Sequence, residues 1–271
     1  MKRVLGVLVF AASASSTFGE TFTVPINPAQ SSITATLTLQ GRSDDDTSPV
    51  AGTVRLNLAT VNTPAQVTGI DFDLQVVEPL DFFINYGFGS TFSSTVTGLR
   101  LMYAAPGTPI GPVPVAMGGF TFLSVPANTQ GLLTYTATGL VCLALGGAGL
   151  PCTDMDDLST EPTQPIDFAG TVTVGPGRLV TVISTVDRTT PIDPANPSLG
   201  TLRVQGTIRG SVLVPVIAGD ANGDCVVDFS DITSVLSHYG GGGAAGDADN
   251  SGTVDFADIT SVLSNWGAAC G

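Results

Sequence analysis

Basic side chains are scarce in this chain of 271 residues. Nine Lys and Arg residues stand against 23 Asp and Glu residues, which gives a formal net charge of −14. Proteins that bind nucleic acids or anionic membrane surfaces need a basic face, so the charge balance argues against both as partners. The single lysine, Lys2, lies at the N-terminus, which leaves the rest of the chain without a lysine for Schiff-base chemistry.

Histidine and tryptophan are equally scarce. The one histidine, His238, and the one tryptophan, Trp266, both lie near the C-terminus. The preceding part of the chain therefore cannot use Ser-His-Asp or Cys-His catalysis, and it has no tryptophan platform for stacking on sugars. A hydrolase built on it would rely on paired carboxylates, as glycosidases do. The acidic candidates, none of which stands in a recognisable motif, are Asp71, Asp73, Glu78, Asp81 and Glu161.

Long apolar runs are also missing, with one short exception at the N-terminus. Lys2 and Arg3 precede an apolar run from Val4 to Ala12, and small residues follow as far as Gly19. The run is too short to span a bilayer as a helix, which needs about 20 residues. The pattern predicts a secretory signal peptide over residues 1–19 and an exported protein, secreted or held at the cell surface or in the periplasm.

The four cysteines fit an exported protein with two disulfide bonds. Four cysteines allow three pairings, and the sequence alone does not decide among them. Proximity along the chain favours Cys142 with Cys152, which leaves Cys225 to pair with Cys270.

Residues 20–215 are predicted to form a mainly β domain, an antiparallel β-sandwich or barrel. Runs of Thr, Val, Ile, Leu and Phe are separated by clusters of Gly, Pro, Asn and Asp, the usual composition of strands and turns. No helical period of useful length precedes Ser230, and residues 132–145 are assigned to a strand. The acidic run 44–46 is expected in a solvated turn. Residues 216–271 form a second, smaller unit.

The last 53 residues contain one Asp-rich segment twice. Residues 219–240 and 246–267 are identical at 14 of 22 aligned positions, at an offset of 27 residues. Each copy places side-chain oxygens at positions 1, 3, 5, 9 and 12 of a loop, with a main-chain carbonyl at position 7. Calcium takes about six to eight oxygen ligands, and a 12-residue loop delivers them from these positions. Magnesium demands a stricter octahedron, and the absence of thiolate and imidazole from the pattern argues against zinc and copper.

The sequence therefore predicts two bound Ca²⁺ ions, one in each loop. The expected ligands of loop 1 are Asp220, Asn222, Asp224, Asp228 and Asp231 through their side chains and Val226 through its carbonyl. The expected ligands of loop 2 are Asp247, Asp249, Ser251, Asp255 and Asp258 through their side chains and Thr253 through its carbonyl. Ser251 is a neutral ligand, so the second site is expected to be the weaker. Position 6 of loop 1 is Cys225, where glycine is usual for the sharp turn.

A short amphipathic helix is predicted after each loop, over 229–239 and 256–266. Apolar residues recur at i, i+3, i+4 and i+7, and the two stripes are expected to pack on each other. The stripe residues are Ile232, Val235, Leu236 and Tyr239 in the first helix and Ile259, Val262, Leu263 and Trp266 in the second. The residues at position 8, Val227 and Val254, are expected to pack against and hydrogen-bond to each other.

Two calcium loops, each followed by a helix and not preceded by one, resemble the type I dockerin domain. The resemblance covers residues 219–267 and rests on the repeated D-x-N-x-D-x-x-V-D-x-x-D pattern and on Asp at position 12. It implies calcium-dependent docking to a cohesin-like domain on a scaffolding or surface protein, and association with polysaccharide-degrading proteins. Positions 10 and 11 are Phe229-Ser230 and Phe256-Ala257, where dockerins commonly have a Ser-Thr pair.

The start of the β domain is similar to that of YceI-like bacterial proteins. The likeness rests on TVPINPAQSSITATLTLQG, residues 23–41, and on a Gly-Thr-Val segment at 52–54. It implies a closed β-barrel that holds an isoprenoid lipid.

Three functions stay open on the sequence. The leading hypothesis is an exported calcium-binding protein that carries a non-catalytic β domain, with the C-terminal module docking to a partner or bracing the chain end. The second is a polysaccharide-acting hydrolase, or another carbohydrate-associated component, attached through a dockerin. The third is a ligand- or lipid-holding β-barrel.

Overall fold

A computed structural model describes residues 20–61, 64–175, 178–193, 196–214, 217–243 and 245–269. The predicted signal peptide, residues 1–19, lies outside the described residues. Twelve β-strands and three α-helices lie within the described ranges, so the prediction of a mainly β chain is confirmed. None of the helices in this part of the chain has the length and apolar character that crossing a bilayer requires.

The strands are β1 (Glu20–Ile26), β2 (Ser32–Leu39), β3 (Arg42–Leu58), β4 (Gln66–Val76), β5 (Leu80–Gly87), β6 (Ser90–Tyr103), β7 (Ile110–Pro114), β8 (Gly119–Ala137), β9 (Thr153–Asp157), β10 (Gln164–Gly175), β11 (Leu179–Pro191) and β12 (Gly200–Leu213). The helices are α1 (Gly139–Gly147), α2 (Phe229–His238) and α3 (Phe256–Ser264).

The strand pairings are antiparallel and join the strands into one sheet. From neighbour to neighbour they run through β2, β3, β4, β6, β8, β10, β11 and β12, and β12 pairs again with β2. β1 pairs with both β3 and β12, beyond the end of β2. The pairings of the sheet thus form a closed circuit, as in the barrel alternative, and the predicted antiparallel architecture is confirmed.

One continuous apolar core fills the inside of the sheet. Strand β2 shows why: its aliphatic residues from Ile33 to Leu39 alternate with threonines, so every second side chain is buried. Phe72 and Phe120 both stack on Phe168 near the centre. A cavity bordered by Val54, Phe72 and Phe168 has a volume of about 10 Å³, which is room for about one water molecule.

The acidic run at 44–46 does not form a solvated turn, which corrects the sequence prediction. These residues lie inside β3, opposite β5. The Asp44 carboxylate accepts the N–H of Phe83 (2.6 Å), and the Asp46 carboxylate accepts the N–H of Asp81 (2.8 Å). The two side chains thus satisfy main-chain donors of β5 that a neighbouring strand would otherwise bind.

The strand predicted over 132–145 is also corrected. β8 ends at Ala137, and α1 begins two residues later at Gly139, which has φ +60°. A short apolar run does not distinguish a strand from a buried helix, and here the left-handed glycine starts a new element. The predicted disulfide between Cys142 and Cys152 is formed and ties α1 to the segment before β9.

Candidate metal centre

Both helices predicted after the loops are present. α2 and α3 start at the predicted residues and end one and two residues before the predicted ends. Val235 of α2 and Val262 of α3 are fully buried. They belong to a small core that is separate from the core of the sheet. The other buried members of this small core are Ala221, Val227, Ala248 and Val254.

The two apolar stripes share this core only in part: Val235 and Val262 are buried in it, and Ile232 and Ile259 pack against it. Leu236 and Tyr239 at the end of the first stripe are exposed, and so are Leu263 and Trp266 in the second. The helices are short, and the last two positions of each stripe lie outside this core.

Each loop is hydrogen-bonded to the segment that follows the helix of the other loop. Val227 donates its N–H to the carbonyl of Ala268, beyond α3, and Val254 donates its N–H to the carbonyl of Gly241, beyond α2 (2.9 and 3.0 Å). The side chains of the two valines share the small core, as expected, but the predicted hydrogen bonds between the valines themselves are wrong. Each loop instead binds the segment that follows the opposite helix.

Loop 1 brings three of its predicted ligands together. Carboxylate oxygens of Asp220, Asp224 and Asp231 lie within 4.8 Å of one another. The side chain of Asp231 is fully buried and accepts the N–H groups of Asn222 (3.0 Å) and Asp228 (2.9 Å). The acidic positions 1, 5 and 12 of the loop therefore converge on one point.

Loop 2 forms a matching cluster from a slightly different set. Carboxylate oxygens of Asp247, Asp249 and Asp258 lie within 4.8 Å of one another. Position 3 supplies the third carboxylate here because position 5 is Ser251. The side chain of Asp258 is fully buried, like that of Asp231, and accepts three main-chain N–H groups. The repeat thus builds one triad of carboxylates in each loop, and the two triads share positions 1 and 12.

The acidic residues at position 9 cap the helices and do not belong to the triads. Asp228 accepts the N–H of Ser230, and Asp255 accepts the N–H of Ala257 (both 2.7 Å). Together with the Asp at position 12, each completes a capping box at the helix N-terminus. Whether Asp228 and Asp255 also bind an ion, directly or through water, stays a prediction.

The neutral ligand candidates are engaged in hydrogen bonds within their loops. The amide of Asn222 donates to Asp224 (3.0 Å), and the hydroxyl of Ser251 donates to the carbonyl of Thr253 (3.1 Å). Val226 forms a β-bridge with Ala269. The second predicted disulfide joins Cys225 to Cys270, and Cys270 lies outside the described residues. Metal ligation by Asn222, Ser251 and the carbonyls of Val226 and Thr253 stays a prediction.

Both loops turn sharply at positions 4 and 6. Gly223 and Cys225 in loop 1 and Asn250 and Gly252 in loop 2 all have positive φ, between +59° and +88°. Glycine adopts this left-handed backbone conformation freely, whereas a residue with a Cβ atom does so at a cost of roughly 1–2 kcal/mol. Cys225 therefore adopts the turn that position 6 requires, at some cost in backbone strain.

Burial raises the pKa of the Asp220, Asp231 and Asp247 carboxyls above its ordinary value. The guanidinium of Arg178 opposes this effect at Asp220. A hydrogen bond from Ser251 holds the pKa of Asp249 below its ordinary value. Without a cation, the charged form of the buried carboxylates is therefore unfavourable, and a bound cation would offset that cost.

Loop 1 also contacts the β domain. Arg178, which precedes β11, donates from Nη2 to the carbonyl of Asp220 (2.6 Å) and lies 3.5 Å from an Asp220 carboxylate oxygen. The N–H of Val61 donates to the carbonyl of Gly223 (2.9 Å). Neither contact is predictable from the sequence, because nothing in the surrounding residues distinguishes Arg178 or Val61 from its neighbours.

The geometry of both triads fits a hard divalent cation. Two ligands of one Ca²⁺ ion, each at roughly 2.4 Å, are at most about 4.8 Å apart, so the oxygens of each triad are close enough to share an ion. The donors are carboxylates, which suit Ca²⁺, Mg²⁺ and Mn²⁺. Each triad can therefore hold a metal ion.

No protein-family model matches the chain, and no curated protein matches it.

Proposed function

We propose that this chain is an exported protein whose C-terminal module, residues 216–271, binds two Ca²⁺ ions and docks to a partner protein in the manner of a dockerin. The observation that carries the proposal is a triad of carboxylates in each of two repeated loops, with positions 1 and 12 in common, each loop being followed by a capped helix. A solvated acidic tail would have no reason to bury Asp231 and Asp258 completely.

Calcium suits the module better than magnesium or zinc. The loops are 12-residue turns with carboxylate, hydroxyl and carbonyl oxygens available, and Ca²⁺ accepts many such oxygens in varied geometry. Between residues 219 and 271 there are eight Asp and no Lys or Arg, so two divalent cations would neutralise half of the charge of the segment.

The exposed apolar side chains of the two helices support docking. Phe229 and Phe256 occupy equivalent positions at the helix starts, and both are about two-thirds exposed (69% and 68%). Leu236 with Tyr239 and Leu263 with Trp266 continue these two surfaces. Large apolar residues clustered at a surface mark interaction sites. The module therefore offers two similar apolar faces, and a cohesin-like or other surface protein is the proposed partner.

The hydrogen-bond partners of two candidate carboxylates, Asp73 and Asp81, support a non-catalytic β domain. Asp73 forms a bidentate ion pair with Arg100, which holds its pKa below the ordinary value. Asp81 accepts a hydrogen bond from Thr95. The ion pair keeps the Asp73 carboxylate ionised and fixed, whereas a glycosidase acid needs a raised pKa. The filled core likewise gives no support to a lipid-holding barrel.

The proposal is tested by titrating calcium into the metal-free mature chain, residues 20–271, in a calorimeter. We expect two ions per chain, and one after either Asp220→Ala or Asp247→Ala. The control, Asp187→Ala, removes an exposed carboxylate that pairs with Arg203 and should leave two. No bound calcium in the unaltered chain would refute the proposal.

Docking is tested on the same protein by capture of extracellular and envelope proteins of its own source, with calcium and then with EDTA. We expect a partner that is held in calcium and released by EDTA. A double variant, Phe229→Ser with Phe256→Ser, should lose the partner and still bind two ions. No calcium-dependent partner would mean that the metal serves only to brace the chain end.

A further inference from the structure

The two loops have closely similar sequences but unequal surroundings. In loop 1, Gly223 and Cys225 are buried, and the carbonyl of Gly223 accepts the N–H of Val61 in the β domain. Their counterparts in loop 2, Asn250 and Gly252, are exposed. The contact with the β domain thus distinguishes loop 1 from loop 2.

The principal contact is a buried arginine. Arg178 is only 3% exposed, and Asp220, the first residue of loop 1, is 1% exposed. Arg178 donates to the carbonyl of Asp220 and lies beside its carboxylate, while the carbonyl of Arg178 accepts the N–H of Val214 at the end of β12 (3.1 Å). The arginine thus joins the β domain to the residue that begins the metal triad.

The arginine also changes the charge at loop 1. Three carboxylates converge in each loop, but only the triad of loop 1 has a guanidinium next to it. Among the residues that the structure describes, no Lys or Arg forms an ion pair with loop 2. In the absence of metal, loop 1 therefore has a buried positive charge that partly balances its carboxylates, while loop 2 has none.

We propose that Arg178 is a positioning residue that keeps loop 1 folded on the β domain without metal, so that the calcium dependence of folding resides mainly in loop 2 and α3. This inference rests on the proposed calcium binding. A site that is not formed without its metal couples binding to folding. Loop 1 is not subject to that coupling, because Arg178 and Val61 hold it in place. Loop 2 has no such contacts in the described part of the chain, so its folding depends on metal binding.

The test is amide hydrogen exchange of the mature chain, residues 20–271, in calcium and in EDTA. Matched reporters exist: Asp224 and Cys225 donate their N–H groups to the Asp220 carboxylate, and Ser251 and Gly252 donate theirs to the Asp247 carboxylate. From free calcium of about 100 times Kd, removing the metal should lower the protection of the loop 2 amides by about 100-fold. The loop 1 amides should lose less than about tenfold.

Three variants separate positioning from general stability. Arg178→Gln removes the charge, and in EDTA the loop 1 amides should then lose protection as loop 2 does. Arg178→Lys keeps a positive charge and should restore part of that protection. Arg203→Gln removes an exposed arginine that pairs with Asp187 and should leave the pattern unchanged. The N–H of Val61, which crosses the interface, reports directly whether loop 1 leaves the β domain.

The outcomes are distinguishable even if Arg178→Gln does not fold, because the comparison of the two loops needs only the unaltered chain. Equal loss of protection in both loops on chelation overturns this inference and leaves calcium binding intact. Retained protection of both loops, in a chain that binds calcium, overturns it as well. A chain that binds no calcium in the titration refutes the proposed function, and the inference fails with it.

Discussion

The aspartates at position 12 of the two loops each serve two purposes. Asp231 and Asp258 each complete a carboxylate triad, and the same carboxylates accept main-chain N–H groups at the helix N-termini. A carboxylate at a helix N-terminus is favoured by the free N–H groups there. The helices therefore have a start signal that does not depend on metal, while the burial of the charge makes a cation favourable.

Stability of the module should depend on pH in opposite directions with and without calcium. Burial raises the pKa of Asp220, Asp231 and Asp247. For an acid with a raised folded pKa, the stabilising contribution is complete below the unfolded pKa, about 3.9, and is lost as pH rises through the folded value. In EDTA the module should thus become less stable from pH 4 to pH 7. In calcium it should become more stable, because protons and metal compete for the same oxygens.

The measurement is urea unfolding at several pH values, followed by the fluorescence of Trp266. This tryptophan is the only one in the chain and follows α3 directly, so it reports on the module alone. The same direction of change in both buffers would contradict the assignment of these carboxylates to a metal site.

At the scale of elements, the turn between β8 and α1 depends on one glycine. Gly139 has φ +60°, and an added Cβ there would overlap the side chain of Ser90. The Ser90 hydroxyl accepts the N–H of Leu140 (2.9 Å). The close approach of α1 to β6 therefore requires both the conformation and the small size of glycine at this position.

We expect Gly139→Ala to lower the free energy of unfolding of the β domain by roughly 1–3 kcal/mol, from steric overlap and left-handed strain. Gly146→Ala, in the same helix, is the matched control, because an added Cβ there meets no atom within 4 Å. That change should be neutral or stabilising by about 0.5–1 kcal/mol, as for Gly→Ala in other helices. Urea unfolding followed by near-ultraviolet circular dichroism measures both. Equal effects of the two substitutions would show that the turn tolerates an L-residue.

The fold class and the helices of the module could be predicted from the sequence, because both follow from local periodicity. The alternation of apolar and polar residues predicted the strands, and apolar residues at i, i+3, i+4 and i+7 predicted α2 and α3. Periodicity could not show that Leu236 and Trp266 stay exposed, since that depends on how little the short helices overlap. Nor could it show that Arg178 reaches Asp220, because the contact joins residues 42 positions apart through the folding of the sheet.

At the scale of the whole molecule, the sheet and the module have separate apolar cores. The module core consists of six small or branched residues, too few to stabilise a unit of this size without further support. A bound ion at 100 times Kd contributes about 2.7 kcal/mol. Metal is therefore expected to matter far more to the module than to the sheet.

Chelation with EDTA should change Trp266 fluorescence and reduce the helical signal in far-ultraviolet circular dichroism, while the unfolding transition of the β domain persists. Calcium should reverse the change, and magnesium at the same concentration should reverse it less. If both signals are unchanged in excess EDTA, the module does not depend on metal. If the β domain unfolds together with the module, the two cores are not independent.

The contact between Arg178 and Asp220 also determines how the protein would carry mechanical load. The module is linked covalently to β12 through residues 214–217, and Arg178 ties the first loop to the same end of the sheet by accepting from Val214 and donating to Asp220. A partner that pulls on α2 or α3 would therefore stress two adjoining strands, β11 and β12, together. Those strands are paired along thirteen successive residues, so tension from a docked partner would be shared along the longest ladder in the sheet before any strand could detach.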